Sequence, residues 1–194
     1  MSNAAKPVLE PEVFLSAAQI DSIVARLGAQ LSARFVDGVV LIGLLRDSVP
    51  FLADLVRAMT VPVTVDFMAV TPYSPHTGRV RLLKDLDTDI AGRDAVIVEG
   101  IIDTGLSTAF VHAELQHRGA RSVMICTLLD RPARRVLPVE IDFVGSEISE
   151  DYVIGFGFDH EGRYRNLRMI AQADLEALSA DPDAYVSALY GTQR

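Results

Sequence analysis

The chain has 194 residues, 49% of them hydrophobic and 23% charged, which suits a globular protein with a sizeable core and a single domain over 1–194. A formal net charge of -8 argues against general attraction to nucleic acid or an anionic membrane, so an anionic ligand must be held locally, by backbone amides, a few Arg side chains or a metal. No apolar run reaches the about 18 residues of a spanning helix, the first residues lack a secretory signal, and the lone Cys126 sits in the apolar run SVMICTLL as plain core; the expectation is a cytoplasmic protein.

In chain order, 1–11 reads as a disordered lead, with 1–4 resembling an expression remnant. Ile20, Ile23, Val24, Leu27 and Leu31 recur at helical spacing through 16–34, and Ser16 offers an N-cap. VVLIGLL (39–45) has the length and aliphatic character of a strand. PFLADLVRAM (50–59) has a helical period and opens on Pro50, which suits a first turn. VPVTVDFMAV (61–70) is β-branched and alternating, hence a strand. TPYSPHTGRV (71–80) is a loop, with two prolines, a glycine and no period, and RVRLLKDL (79–86) adds a further strand. DAVIVEG (94–100) and SVMICTLLD (122–130) are continuous apolar strands. Between them LSTAFVHAELQHR (106–118) forms a helix that Gly119 ends. Shorter strands follow in IDFVGSE (141–147) and YVIGFGF (152–158), then a helix over 171–179 and a short helical stretch in DPDAYVSALY, making 171–194 a helical tail. Helices alternating with fully apolar strands predict an α/β domain with a mostly parallel sheet covered by helices on both faces.

In such sheets ligands sit outside the carboxyl ends of the strands. That rule selects Arg46-Asp47, Glu99 through Asp103, and Asp130-Arg131. Asp103-Thr104-Gly105 form a turn that opens a helix, where free N–H groups and the helix dipole favour a phosphate dianion. Gly105 allows close backbone approach, and Thr104, Ser107 and Thr108 add hydroxyl donors. Glu99 at the strand tip suits ribose hydroxyls, with Asp103 facing the reacting end of the sugar. The same letters also read as a helix N-cap at Asp103 and a solvated strand end at Glu99, and physics alone leaves the two readings level. A single Asp-Thr-Gly followed by a helix does not make an aspartic protease, which needs two such loops sharing a proton, and the P-loop pattern is absent.

VIVEGIIDTGLST (96–108) resembles the phosphoribosyl pyrophosphate motif of type I phosphoribosyltransferases: aliphatic residues, a Glu-Asp pair, then Asp-Thr/Ser-Gly-x-Thr. VDFMAV (65–70), LLKDLDTDIAGRD (82–94), TLLDRP (127–132), DFVGSEI (142–148), YVIGFGFD (152–159) and YRNL (164–167) resemble the hypoxanthine (guanine) branch, in consistent order. The resemblance implies the type I fold with a small hood region, and a purine phosphoribosyltransferase. In the reaction it implies, a 6-oxopurine would displace pyrophosphate from phosphoribosyl pyrophosphate with Mg2+ as cofactor. It further implies that Asp103, Thr104, Gly105, Leu106, Ser107 and Thr108 cradle the 5′-phosphate, with Asp103 also the base toward the purine, and that Glu99 holds the ribose hydroxyls. Arg46, Asp47 and Arg165 fall in the pyrophosphate region. By the same resemblance Tyr152 would stack on the purine, Val153 would offer backbone groups, Arg131 would reach the 6-oxygen, and Asp159, with Glu99, would serve magnesium. The loop 71–80, with Tyr73, would be a closing flap. A homo-oligomer, dimer or tetramer, is implied as well.

Four departures fall on this site. Gly100 stands where the second acid of the pair is usual, Arg46-Asp47 replaces Lys-Gly, Pro72-Tyr73 replaces Ser-Tyr in a shorter flap, and Arg131 replaces Lys. They keep two other readings open: transfer to a modified or non-standard base, and a non-catalytic relative that binds phosphoribosyl pyrophosphate or a nucleotide. Among lesser features, His76, His112 and His117 read as surface residues, His160 as a neighbour of the magnesium region, and the charges of 84–87 as structural pairs.

Overall fold

The aliphatic stretches become the interior strands of a sheet. In the computed structural model, which describes residues 10–71 and 80–191, β2 (Val39–Leu44) is buried at every position and β5 (Asp94–Ile102) at most of them. Parallel strands covered on both faces require such uniformly apolar sequence. β2 pairs in parallel with β3 (Val63–Val70) and β5, and β5 in parallel with β6 (Ser122–Asp130). β7 (Phe143–Glu147) adds in parallel to β6, and β4 (Leu82–Lys84) caps the other edge antiparallel to β3. The strand order is β4-β3-β2-β5-β6-β7.

Helices lie on both faces, as the alternation predicts. Val40, Ile42 and Leu44 of β2 and Ala95 and Ile97 of β5 share a core with Val111 and Leu115 of α3 (Leu106–His117). On the opposite face Gly43 lies against α2 (Ser48–Ala58), where an added Cβ would stand 2.8 Å from Leu52 Cδ2. α1 (Ala17–Arg34) meets α2 closely where Gly28 abuts Ala58. Cys126 is buried and free within β6.

The chain divides into two units. Among the described residues, those within 18–150 hold this sheet, and those before 18 and after 150 form the other. The second unit contains an antiparallel sheet, order β1-β9-β8, from β1 (Glu12–Leu15), β9 (Ile170–Gln172) and β8 (Val153–Ile154). Ile154, Tyr164, Ala171, Leu178 and Tyr185 make its core.

Local expectations shift at several points. The predicted helix over 171–179 begins late: 170–172 is strand β9, because Ile170 and Ala171 are wholly buried and the segment pairs with both β1 and β8. Helix α4 (Leu175–Ala180) starts after Asp174, whose carboxylate accepts from the N–H of Glu176 (2.8 Å) and Ala177 (3.3 Å), and α5 (Val186–Tyr190) follows. The predicted strand 152–158 is confined to Val153 and Ile154, since Gly155, Phe156 and Gly157 take positive φ of 99°, 45° and 100° and turn the chain over. Phe156 and Phe158 are core, but on that turn. β5 continues past residue 100 to Ile102, and α2 starts at Ser48, with Pro50 still in its first turn.

The charges of 84–87 pair as expected. Buried Asp66 accepts from the N–H of Phe67 (2.7 Å), Asp87 (2.9 Å) and Thr88 (2.7 Å), and Lys84 Nζ lies 3.1 Å from Asp87 and 3.6 Å from Asp66. Burial alone would raise the Asp66 pKa, yet these backbone donors outweigh it and hold the carboxyl below its usual value. The lead over 1–9 and the flap residues 72–79, with Pro72, Tyr73 and His76, lie outside the described residues. No helix among the described residues is long and apolar enough to cross a membrane.

Candidate active site

Because β2, β5 and β6 are neighbours running in one direction, the turns that follow them stand side by side. The middle one carries Asp103, Thr104 and Gly105 into α3. Gly105 is the helix N-cap, with φ +79°. An added Cβ would stand 2.9 Å from both Arg135 Cδ and the Leu137 carbonyl, so the turn accepts only glycine there. Thr104 Oγ1 accepts weakly from Leu106 N–H at 3.4 Å. Leu106 and Ser107 are half-buried and Thr108 is buried.

The N-cap reading of Asp103 does not hold, because Gly105 occupies that position. Asp103 faces guanidinium groups instead. Its Oδ1 lies 3.2 Å from Arg134 Nε and 3.7 Å from Arg131 Nη1, as ion pairs without a hydrogen bond to that buried oxygen. Arg131 is itself buried, and its Nε donates to the Ser149 carbonyl at 3.0 Å.

Nor is Glu99 a solvated strand end: it is 8% exposed. Burial pushes its carboxyl up to about 8; the nearby Asp47 charge pushes the same way, while a hydrogen bond with Thr108 and the charge of Arg135 oppose it. Its Oε1 has no hydrogen-bond partner. An orphan oxygen in a buried carboxyl is costly, about 1–3 kcal/mol or more, and such groups gather at functional sites. Asp47 is half-buried at the start of α2, where its side chain makes no capping bond. Arg46 is exposed on the turn after β2, and the Leu45–Arg46 peptide is cis. Gly100 is buried within β5.

The remaining predicted residues belong to the smaller unit. Val153 is buried in β8 and registered opposite Gln172 of β9. The Tyr152 hydroxyl lies 3.0 Å from the Asp159 carbonyl and 3.2 Å from His160 Nδ1. Asp159 and Arg165 are paired: Oδ1 meets Arg165 Nη2 at 2.7 Å and Oδ2 accepts from Gly162 N–H at 2.7 Å. Arg165 Nη1 also donates to the Gly157 carbonyl.

Sequence reasoning missed Arg134 and Arg135, which bind the Asp103 turn through its carboxylate and its backbone. The signal was present as three arginines within five residues, RPARR at 131–135, directly after a strand tip. It also missed the contact of His160 with Tyr152.

Residues 16–163 match the phosphoribosyl transferase domain family. The chain is 44% identical over 170 residues to the hypoxanthine phosphoribosyltransferase of Salmonella typhimurium, covering 84% of this chain and 96% of the relative. It is 40% identical over 163 residues to the hypoxanthine-guanine phosphoribosyltransferase of Bacillus subtilis, covering 82% and 91%. Among solved structures, a hypoxanthine-guanine phosphoribosyltransferase of Bacillus anthracis superposes with a TM-score of 0.81 at 35% identity, covering 84% of this chain and 98% of that one. A Trypanosoma cruzi hypoxanthine phosphoribosyltransferase complexed with IMP superposes at 0.82 and 30% identity, covering 93% and 98%. The chain belongs to the phosphoribosyl transferase family, in the branch of the hypoxanthine and hypoxanthine-guanine phosphoribosyltransferases.

Proposed function

We propose that the protein transfers the 5-phosphoribosyl group of phosphoribosyl pyrophosphate to a 6-oxopurine, hypoxanthine or guanine, releasing pyrophosphate and forming the nucleoside 5′-monophosphate. One observation carries the reading. A glycine-led helix start, a carboxylate set between two guanidiniums, and a buried acid with an unpartnered oxygen converge at the ends of neighbouring strands. Cleaving the anomeric C–O bond builds positive charge on the ribose and negative charge on the departing pyrophosphate, so fixed donors aimed at the leaving group and the 5′-phosphate lower the barrier.

The amides at the head of α3, with the Thr104 and Ser107 hydroxyls, hold the 5′-phosphate. Ribose hydroxyls complete the hydrogen bonding of Glu99. Asp103 accepts the proton the purine loses as its new bond forms, its carboxylate aimed by Arg131 and Arg134. Arg131 donates to the 6-oxygen, which favours an oxo group over an amine; a site built to make such a bond discriminates by about 10⁴-fold. Arg46 acts on pyrophosphate.

Among the described residues, no cluster of three or more His, Cys, Asp or Glu side chains stands ready as a metal cage. Magnesium is commonly held by one or two carboxylates together with substrate phosphates. The unpartnered buried Oε1 of Glu99 fits that pattern. Magnesium bound there would neutralise the charge developing on pyrophosphate. The working form is a homo-oligomer, dimer or tetramer, which sedimentation velocity tests.

The deciding experiment measures pyrophosphate release from phosphoribosyl pyrophosphate against a panel of purines, with Asp103→Asn as control. Turnover of hypoxanthine or guanine that drops by about 10²–10⁴-fold in the control supports the proposal. Saturable binding without turnover of any base refutes it.

A further inference from the structure

Three successive carbonyls of the Asp103 turn point at one segment. Ile102 O accepts from Arg131 N–H (3.0 Å) and Arg135 Nη2 (3.5 Å), and Asp103 O accepts from Arg135 Nε (3.0 Å). Thr104 O accepts from the N–H of both Val136 (2.9 Å) and Leu137 (3.1 Å). A trans peptide places its N–H opposite its carbonyl. The N–H groups of Asp103, Thr104 and Gly105 are therefore turned away from the 131–137 segment.

Arg135 is the one side chain among these donors. Its guanidinium is anchored by an ion pair with Asp130, and the two side chains are 15% and 14% exposed. Its Cδ lies against Gly105, filling the space a Cβ would need. The planar fork serves a carboxylate and two carbonyls at once, which a Lys ammonium cannot reproduce in one geometry.

We propose that Arg135 is a positioning residue for phosphoribosyl transfer: by fixing the carbonyls of Ile102 and Asp103 from behind, it aims the opposite face of the turn at the substrate's 5′-phosphate without touching it. The inference rests on the phosphate-cradle reading above. It assigns the specificity of that cradle to a side chain on the far side of the backbone.

The test is a ratio. Titration calorimetry measures the affinity of wild type, Arg135→Lys and Arg135→Gln for inosine 5′-monophosphate and for inosine, with thermal unfolding alongside. Wild type prefers the monophosphate strongly. Both variants lose about tenfold or more of that preference, the scale of one hydrogen bond to a charged group, while inosine affinity holds. Should Arg135→Gln fail to fold, Asp130→Asn, which keeps Arg135 and weakens only its anchor, reduces the ratio in the same direction.

A lowered melting temperature with an unchanged ratio overturns the proposal, since the role is then only structural. Full restoration of the ratio in Arg135→Lys overturns it as well, because charge and not aim is then what matters. A wild type with no preference for the monophosphate overturns the cradle reading itself, and is recognisable without any variant.

Discussion

Asp47 and Glu99 are two carboxyl groups set against each other: burial, the larger effect, and the charge on Asp47 together raise the Glu99 pKa to about 8, against the opposing pull of Thr108 and Arg135. Asp47 follows β2 and Glu99 sits near the end of β5, the strand paired beside it. Neutralising Asp47 removes one of the two upward pushes while Thr108 and Arg135 still stabilise the ionised form. Asp47→Asn is therefore expected to shift the Glu99 titration, followed by carbon-13 NMR of the side-chain carboxyl, toward lower pH. An unmoved or raised midpoint refutes the coupling.

Glu99 also makes stability depend on pH with a definite sign. Its folded pKa, about 8, lies above its ordinary value of 4.5. Between these limits the native state keeps a proton that the unfolded chain has released, so stability falls as pH rises from about 4.5 to about 8. Glu99→Gln keeps the shape and abolishes the titration. The variant is expected to gain on the order of 1–3 kcal/mol over wild type at pH 8, about 2–4 °C in melting temperature for each kcal/mol, with little gain at pH 5. Its transferase activity falls, the usual exchange of stability for function at a strained site. Parallel stability curves for the two proteins across that range would contradict the assignment.

Gly105 gives a sharper local test. Its φ of +79° and the 2.9 Å approach of Arg135 Cδ and Leu137 O to a would-be Cβ leave no room for a side chain. Gly105→Ala is expected to cost about 1–3 kcal/mol of backbone strain, with steric displacement of Arg135 in addition. A rise in KM for phosphoribosyl pyrophosphate should accompany the loss of stability. Wild-type KM in a folded Gly105→Ala protein would show that the turn does not hold the substrate.

The sheet and the turn that opens α3 were legible because their causes are local. Uniformly aliphatic runs such as 39–44 have no use outside a covered parallel strand, and Asp-Thr-Gly before a helical period marks a turn that needs a left-handed residue. What was not legible depends on partners distant in sequence. Ile170 and Ala171 fit a helix as well as a strand until β1 and β8 pair with them. Whether Glu99 is solvated or buried turns on Thr108 and the packing around it. Arg135 gains its place only when 131–137 folds back onto the 102–104 carbonyls. Short apolar strands near turns are the general weak point, because periodicity over two or three residues carries no information.

The opposite end of β5 supplies a control remote from the chemistry. Asp94 begins that strand and pairs with both donors of Arg121, with the Ser122 hydroxyl donating at 2.7 Å. The Arg121 hydrogen bond is the main reason its pKa drops from 3.8 to about 2, with Ser122 assisting against the opposing effect of burial. A depressed acid contributes stability that is present above about pH 4 and lost as pH falls toward 2. Arg121 is 61% exposed, so solvent screening leaves the pair only a small contribution. Asp94→Asn is expected to lower stability slightly at pH 7, to unfold with a shallower acid dependence between pH 4 and 2, and to leave kcat and KM within about twofold, the scale expected of a surface change away from the site. A large loss of turnover in a protein that remains folded would mean that the sheet transmits a change from its first residue to its last, and that the site is not confined to the strand ends.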